Sequence, residues 1–136
     1  MTYLLDTNVL SDVRKQAHPP LNAWIADQRL SDLFISVVSV LEIENGLLRL
    51  ERRDPDSAEH LRRWFTGGVL SSFEDRILPI DIPIATTAAQ LHVPDPLPHN
   101  DALIAATAIV HGLVLVTRNT KDFRRTGVRL MDPWEM

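Results

Sequence analysis

The sequence predicts a three-layer α/β/α sandwich around a mainly parallel central sheet. Short apolar runs alternate with segments of helical periodicity, the order that sets parallel strands between two helical layers. The run at 113–117 is apolar up to its closing threonine, as a strand covered on both faces should be. Length and composition fit a single domain over residues 1–136: 45% of residues are hydrophobic and 24% charged, with no internal repeat, low-complexity tract or linker.

Tyr3, Leu4 and Leu5 form an opening strand that stops at Asp6. Residues 7–15 place Val9, Leu10 and Val13 at helical spacing, and Pro19-Pro20 interrupts the chain beyond them. A second helix is expected over 21–29, with Leu21, Trp24 and Ile25 on its apolar side, and a second strand over 33–38. The clearest helix covers 39–53, where Leu41, Ile43, Leu47, Leu48 and Leu50 recur. Asp54-Pro55 stops it and starts another over 56–66, because proline is welcome in a first helical turn. Gly67-Gly68 should break that helix, with one further turn over 70–73. Residues 77–82 predict a short strand whose Pro79 suits a sheet edge. Residues 83–92 are helical in pattern, and three prolines make 93–100 a loop that includes His99. A small-residue helix over 101–111 ends at Gly112, and strands at 113–117 and 128–131 complete the sheet. Trp24, Ile25, Leu47, Leu48, Trp64 and Phe65 fall at helical spacing and read mainly as core, the alternative being a partner groove or, for Trp64 and Phe65, a dimer interface.

Composition removes several chemistries. There is no cysteine, which excludes disulfide frameworks, thiolate nucleophiles and cysteine zinc sites, and agrees with a reducing compartment. The apolar runs are far too short to span a membrane. No leader-like segment precedes the first strand, so a cytoplasmic location is expected. The net charge of −4 argues against a general nucleic-acid coat protein, yet the basic residues are clustered. Arg118, Lys121, Arg124, Arg125 and Arg129 form one group; Arg49, Arg52, Arg53, Arg62 and Arg63 form another. Arginine dominates both, which suits bidentate phosphate contact; genomic composition and solvated helix faces explain the clusters equally well.

Four polar residues fall where a parallel sheet gathers ligands, at the carboxyl ends of strands or the helix starts beside them. They are Asp6, Glu42, Asp101 and Asn119. Each has a plain local explanation. Asp6 or Thr7 can cap the first helix, and Ser39 with Glu42 has capping-box spacing. Asp101 suits a helix dipole, and Asn119 a turn. Together they say more, because carboxylates gathered at one pole repel one another unless a cation neutralises them. Oxygen donors select hard ions such as Mg²⁺ or Mn²⁺, and such a site can activate water for phosphodiester cleavage.

Several motifs resemble those of PIN-domain nucleases. Asp6-Thr7-Asn8-Val9-Leu10-Ser11 is similar to their opening motif, and Glu42 with Gly46 to their second acidic motif. Residues 101–108 and 116–123 resemble the third and fourth, and Gly127-Val128-Arg129 with Asp132-Pro133-Trp134 looks like the VapC-type toxin branch. The resemblance covers nearly the whole chain in order. It implies a PIN-like fold and a Mg²⁺-dependent endoribonuclease, Mn²⁺ serving as substitute, that acts as the toxin of a toxin–antitoxin pair. It implies a homodimer, and a cognate antitoxin through which alone promoter DNA is contacted. By motif position Asp6, Glu42 and Asp101 are the metal ligands, with Asn119 in the catalytic set. Asn119 departs from the aspartate of many relatives; it either binds metal through water or yields that place to Asp122.

Supporting roles fall to Thr7, Asn8 and Thr117, which are placed to orient ligands or water, and RNA contacts to Arg118, Lys121 and Arg124. Gly46 either admits RNA or permits close helix packing. His99 reads as a solvated loop residue. No membrane partner is expected. Two other functions compete. A receiver-like module phosphorylated on Asp6 fits poorly, since Glu42 and Asp101 come from separate helices and the only lysines are Lys15 and Lys121. A catalytically weak or inactive PIN-like binding protein, whose acidic pocket grips a basic partner, is left open by Asn119.

Overall fold

The computed structural model describes residues 1–135. Five parallel strands form one sheet: β1 (Tyr3–Leu5), β2 (Leu33–Ser36), β3 (Ile77–Leu78), β4 (Val114–Val116) and β5 (Leu130–Met131). Their spatial order is β3-β2-β1-β4-β5, and β1 pairs with β2 through Tyr3–Leu33 and with β4 through Tyr3–Val114. The chain builds outward from β1 to one edge, then returns to build the other. That reversal lies between β1 and β4, and open α/β sheets bind ligands outside the carboxyl ends at such a point.

Among the described residues seven α-helices cover the sheet: α1 (Thr7–Lys15), α2 (Pro19–Ala26), α3 (Val37–Arg53), α4 (Pro55–Arg63), α5 (Ile82–Leu91), α6 (His99–His111) and α7 (Thr120–Phe123). The period-2 alternation of the strands sends neighbouring side chains into opposite layers. Leu5, Ile35 and Val116 join a cluster with Val9, Leu21, Leu47 and Phe65. Leu4 and Leu115 face the other way, into Ile104, Ala105, Ala108 and Phe123. All five of these strand residues are essentially buried, so both faces of the sheet are core, as the apolar runs require. The alanines at 102 and 106 let α6 pack closely on Ile84 and Ala88 of α5. Gly112 ends α6 at φ 67°, a left-handed position that costs glycine nothing and turns the chain into β4.

Several boundaries differ from expectation, each for a local reason. Pro19 and Pro20 do not interrupt α2 but start it, since an N-terminal proline gives up no intrahelical hydrogen bond; the helix then ends at Ala26, not at 29. Strand β2 stops at Ser36 because the Ser36 side chain accepts from the Val38 N–H at 3.0 Å. Helix α3 therefore begins at Val37, and Ser39 is inside it. Gly67-Gly68 does not break the chain: a π-helical segment, Trp64–Leu70, continues from α4, anchored by buried Phe65 and Val69. Strand β3 is only Ile77–Leu78, at the expected edge, and Ile82 already belongs to α5. The strands expected over 113–117 and 128–131 are the shorter β4 and β5. Helix α6 starts at His99, two residues early, so His99 lies on a first helical turn with its ring 5.2 Å from that of His92. Leu48, expected in the core, is 51% exposed.

Candidate functional site

The site starts with the backbone. Asp6 follows β1 and donates its N–H to the Val116 carbonyl at 2.9 Å, which ties the ends of β1 and β4 together at the reversal point. The Asp6 side chain is buried and has two fixed partners. Its Oδ1 accepts from the Thr7 N–H at 2.8 Å, and its Oδ2 from the Thr117 hydroxyl at 2.8 Å. Thr117 is itself buried beyond the end of β4 and accepts from the Asn119 N–H at 3.0 Å. One hydroxyl thus sets both the carboxylate and the turn that carries Asn119.

Glu42 reaches the same place from α3. The Thr7 hydroxyl donates to Glu42 Oε1 at 2.7 Å; its only proton being spent, it must accept from Ser39 Oγ at 2.8 Å. Ser39 is buried, and this contact replaces the capping box that its spacing suggested. Asp101 comes from the first turn of α6. Asp6, Glu42, Asp101 and Asn119 line one cavity of about 320 Å³, together with Thr7, Asn8, Ser11 and Asp12.

The electrostatics of the cavity are those of crowded acids. Burial pushes the Asp6 carboxyl up; the hydrogen bonds from Thr117 and Thr7 pull against it, and the charges of Glu42 and Asp122 add to the rise. Burial also pushes Asp101 up, to about 6, helped by the charges of Asp6, Asp122 and Glu42. A divalent cation would relieve this repulsion, and an all-oxygen donor set suits a hard one. The residues therefore fit a metal, although the side chains line the cavity rather than close on a point. Among the described residues no three His, Asp or Glu side chains are gathered tightly enough to enclose an ion.

The remaining predicted residues fall on the rim. Arg118, Lys121, Asp122 and Arg124 line an adjoining hollow that shares Asn119 with the acidic cavity. Asp122 is thus beside the cavity wall and acts on Asp6 and Asp101 through its charge. Asn8 lies between these groups: its Nδ2 donates to Thr117 Oγ1 at 3.4 Å and its Oδ1 accepts from the Arg118 N–H at 3.5 Å.

Sequence reasoning missed Asp12 and the role of Ser39. Asp12 is buried at the cavity edge, where Oδ2 accepts from Trp134 Nε1 at 3.1 Å and from Arg118 at 3.3 Å, and lies 3.6 Å from His18. It ties the chain's last turn to α1. Its spacing from Asn8, four residues on one helix face, was the available signal.

Residues 3–129 match the PIN domain family. The chain is a PIN-domain protein. Two curated relatives share similarity with this PIN domain over nearly their whole length. It is 34% identical to "Toxin FitB" of Neisseria gonorrhoeae, over 96% of this chain and 97% of the relative. It is 32% identical to "VapC ribonuclease Y4jK" of Sinorhizobium fredii, covering 97% of each. Among solved structures, FitAcB from Neisseria gonorrhoeae superposes on this PIN domain with a TM-score of 0.90 at 32% identity, covering 99% of this chain and 100% of that one. A toxin–antitoxin complex from Klebsiella pneumoniae gives 0.71 at 28% identity, again over 99% and 100%. Among the described residues, no helix is long and apolar enough to cross a membrane.

Proposed function

We propose that this PIN domain is an endoribonuclease, the toxin of a toxin–antitoxin pair, and that it hydrolyses RNA phosphodiesters in the acidic cavity with Mg²⁺, or Mn²⁺ in its place. The observation that carries the reading is the convergence of Asp6, Glu42, Asp101 and Asn119 on one cavity at the sheet's reversal point. The relatives named as a ribonuclease and as a toxin support it.

Asp6, Glu42 and Asp101 would hold the cation. Bound there, it would lower the pKa of a water and offset the charge that develops on the phosphoryl oxygens. The chain's own residues prepare for this. Thr117 and the Thr7 N–H hold Asp6 in one rotamer, leaving its remaining lone pairs toward the cavity. Thr7, backed by Ser39, holds Glu42. Such outer hydrogen bonds fix the direction of a ligand and are worth roughly 10–100-fold in metal affinity or activity. Asn119 offers an amide oxygen without charge, so the fourth position contributes by hydrogen bonding, to metal-held water or to substrate, and Asp122 supplies negative charge from alongside. Arg118, Lys121 and Arg124 would take phosphates next to the scissile one.

The partner is an antitoxin protein, a reading that the Klebsiella toxin–antitoxin complex supports, and it would act by covering the cavity. Contact with promoter DNA would run through that partner, a reading that the structure of FitAB bound to a DNA fragment supports. We place the chain in the cytoplasm as a homodimer.

Alanine variants test the assignment on a total-RNA pool with Mg²⁺. Asp6→Ala, Glu42→Ala and Asp101→Ala should each abolish discrete cleavage, with a loss on the order of 100-fold or more, while Asn119→Ala should be milder. Full activity in all three acidic variants would sink the assignment.

A further inference from the structure

A second groove opens from the acidic cavity on the side away from Arg118. Its volume is about 300 Å³, and it shares Thr7, Ser11 and Glu42 with the cavity. Its walls are α1, α3, α4 and the π-helical segment, with Ile43, Leu50, Leu61 and Trp64 as an apolar floor, and its rim is basic: Arg14 and Lys15 end α1, and Arg53 ends α3. These three cations are exposed, and among the described residues none lies within 4.0 Å of a carboxylate. Nearby arginines are already committed. Arg62 holds Glu44 through two 2.6 Å hydrogen bonds, and Arg63 pairs with Glu59 at 2.7 Å. Arg14 instead lies over the ring of Trp64, 5.7 Å from its centroid, a stacked cation at the groove wall.

Gly46 gives an independent indication. It sits in the middle of α3, where glycine is destabilising relative to alanine, so close helix packing would be the ordinary reason for it. Packing does not explain it: a Cβ built on Gly46 meets nothing within 4 Å. The open side is the groove, which Gly46 lines. A side chain there would narrow the path into the acidic cavity beside Glu42.

We propose that this groove is a track for the sugar–phosphate backbone of single-stranded RNA, held by Arg14, Lys15 and Arg53 and kept open by Gly46. The inference rests on the ribonuclease reading of the adjoining cavity and adds the direction in which the strand leaves it. RNA would then cross a strip that is basic on both sides and acidic at its centre, so that phosphates on either side of the scissile bond are gripped and only the central one meets the carboxylates. A positively charged groove that follows the backbone holds a single strand without reading its sequence.

The test uses the whole chain with two variants, Lys15→Gln/Arg53→Gln and Gly46→Leu. Both alter exposed positions, and melting curves check that both fold. Anisotropy of a fluorescein-labelled single-stranded RNA of mixed sequence is followed in EDTA over a range of KCl. KM and kcat are then measured with Mg²⁺ on a fragment that the wild type cleaves. The double variant should bind about tenfold more weakly, and its salt slope should be shallower by about 1.4, two contacts at about 0.7 each. KM should rise for both variants while kcat holds. Wild-type affinity and slope in both variants would overturn the track, whether or not the wild type cleaves. If the wild type never cleaves but RNA binding falls as expected, the track stands and the ribonuclease reading fails. Loss of poly-glutamate binding with RNA binding intact would make the groove a protein-binding surface and overturn the proposal.

Discussion

Two threonine hydroxyls stand behind the acidic cavity, Thr117 behind Asp6 and Thr7 behind Glu42, and they decide how the carboxylates point. Asp101 differs: burial and the charges of Asp6, Asp122 and Glu42 act on it, and all of them raise its pKa. The consequence for stability has a definite sign. A carboxyl whose folded pKa of about 6 lies above the ordinary 3.8 stabilises the fold when protonated. That contribution is complete below about 3.8 and is lost as pH rises through about 6. Metal-free protein should therefore lose on the order of 1 kcal/mol between about pH 4 and pH 7, once solvent screening at a partly exposed group is discounted. Urea titrations of wild type and Asp101→Asn check this: the variant should lack that component of the pH dependence. An unchanged profile in the variant would mean that the crowding of acids does not act through Asp101. Asp6, Asp101 and Asn119 were legible in the sequence because each follows a strand or opens a helix; Glu42 was found from a first-turn place that the earlier start of α3 moves to the second turn. Asp12 and the buried partner role of Ser39 were not legible, since their hydrogen-bond partners lie 32 to 122 positions away in the chain.

At the scale of elements, the register of α3 is what brings Glu42 to the cavity. Val37 and Val38 are β-branched and read as the end of a strand, and Ser39 reads as a cap. The Ser36 hydroxyl wins instead by satisfying the Val38 N–H, and the helix starts two residues earlier. The two serines should then behave differently. Ser36→Ala should lower stability by about 1 kcal/mol, the usual cost of a lost cap. Ser39→Ala should spare the cap and weaken cleavage through Thr7 and Glu42. The reverse pattern, in denaturation and RNA-cleavage assays, would restore the sequence-based register. Pro19-Pro20 and Gly67-Gly68 show the same limit from two sides. Prolines mark a helix start as readily as a stop. Gly67-Gly68 does not end the helix because buried Phe65 and Val69 hold the π-helical segment in place, a tertiary effect that no local pattern carries.

Across the whole molecule, alternation of apolar runs and helical segments was enough to predict the parallel sheet, and strand order is then limited by where each helix can cross. The reversal between β1 and β4 puts Asp6 and Thr117 side by side although 111 residues separate them. Charge organisation was only half legible. The clusters of arginine were visible in sequence, but only the fold separates those paired with glutamates from those left facing the cavity and groove. The acidic centre and its basic flanks fit the proposed ribonuclease, in which Asp6, Glu42 and Asp101 would hold a divalent cation. Incubation of purified, antitoxin-free protein with total RNA tests it most directly, in Mg²⁺, in Mn²⁺ and in EDTA. Discrete fragments with 5′-phosphate and 3′-hydroxyl ends should appear in either metal, and none in EDTA. Equal cleavage in EDTA, or intact RNA in both metals, would contradict it.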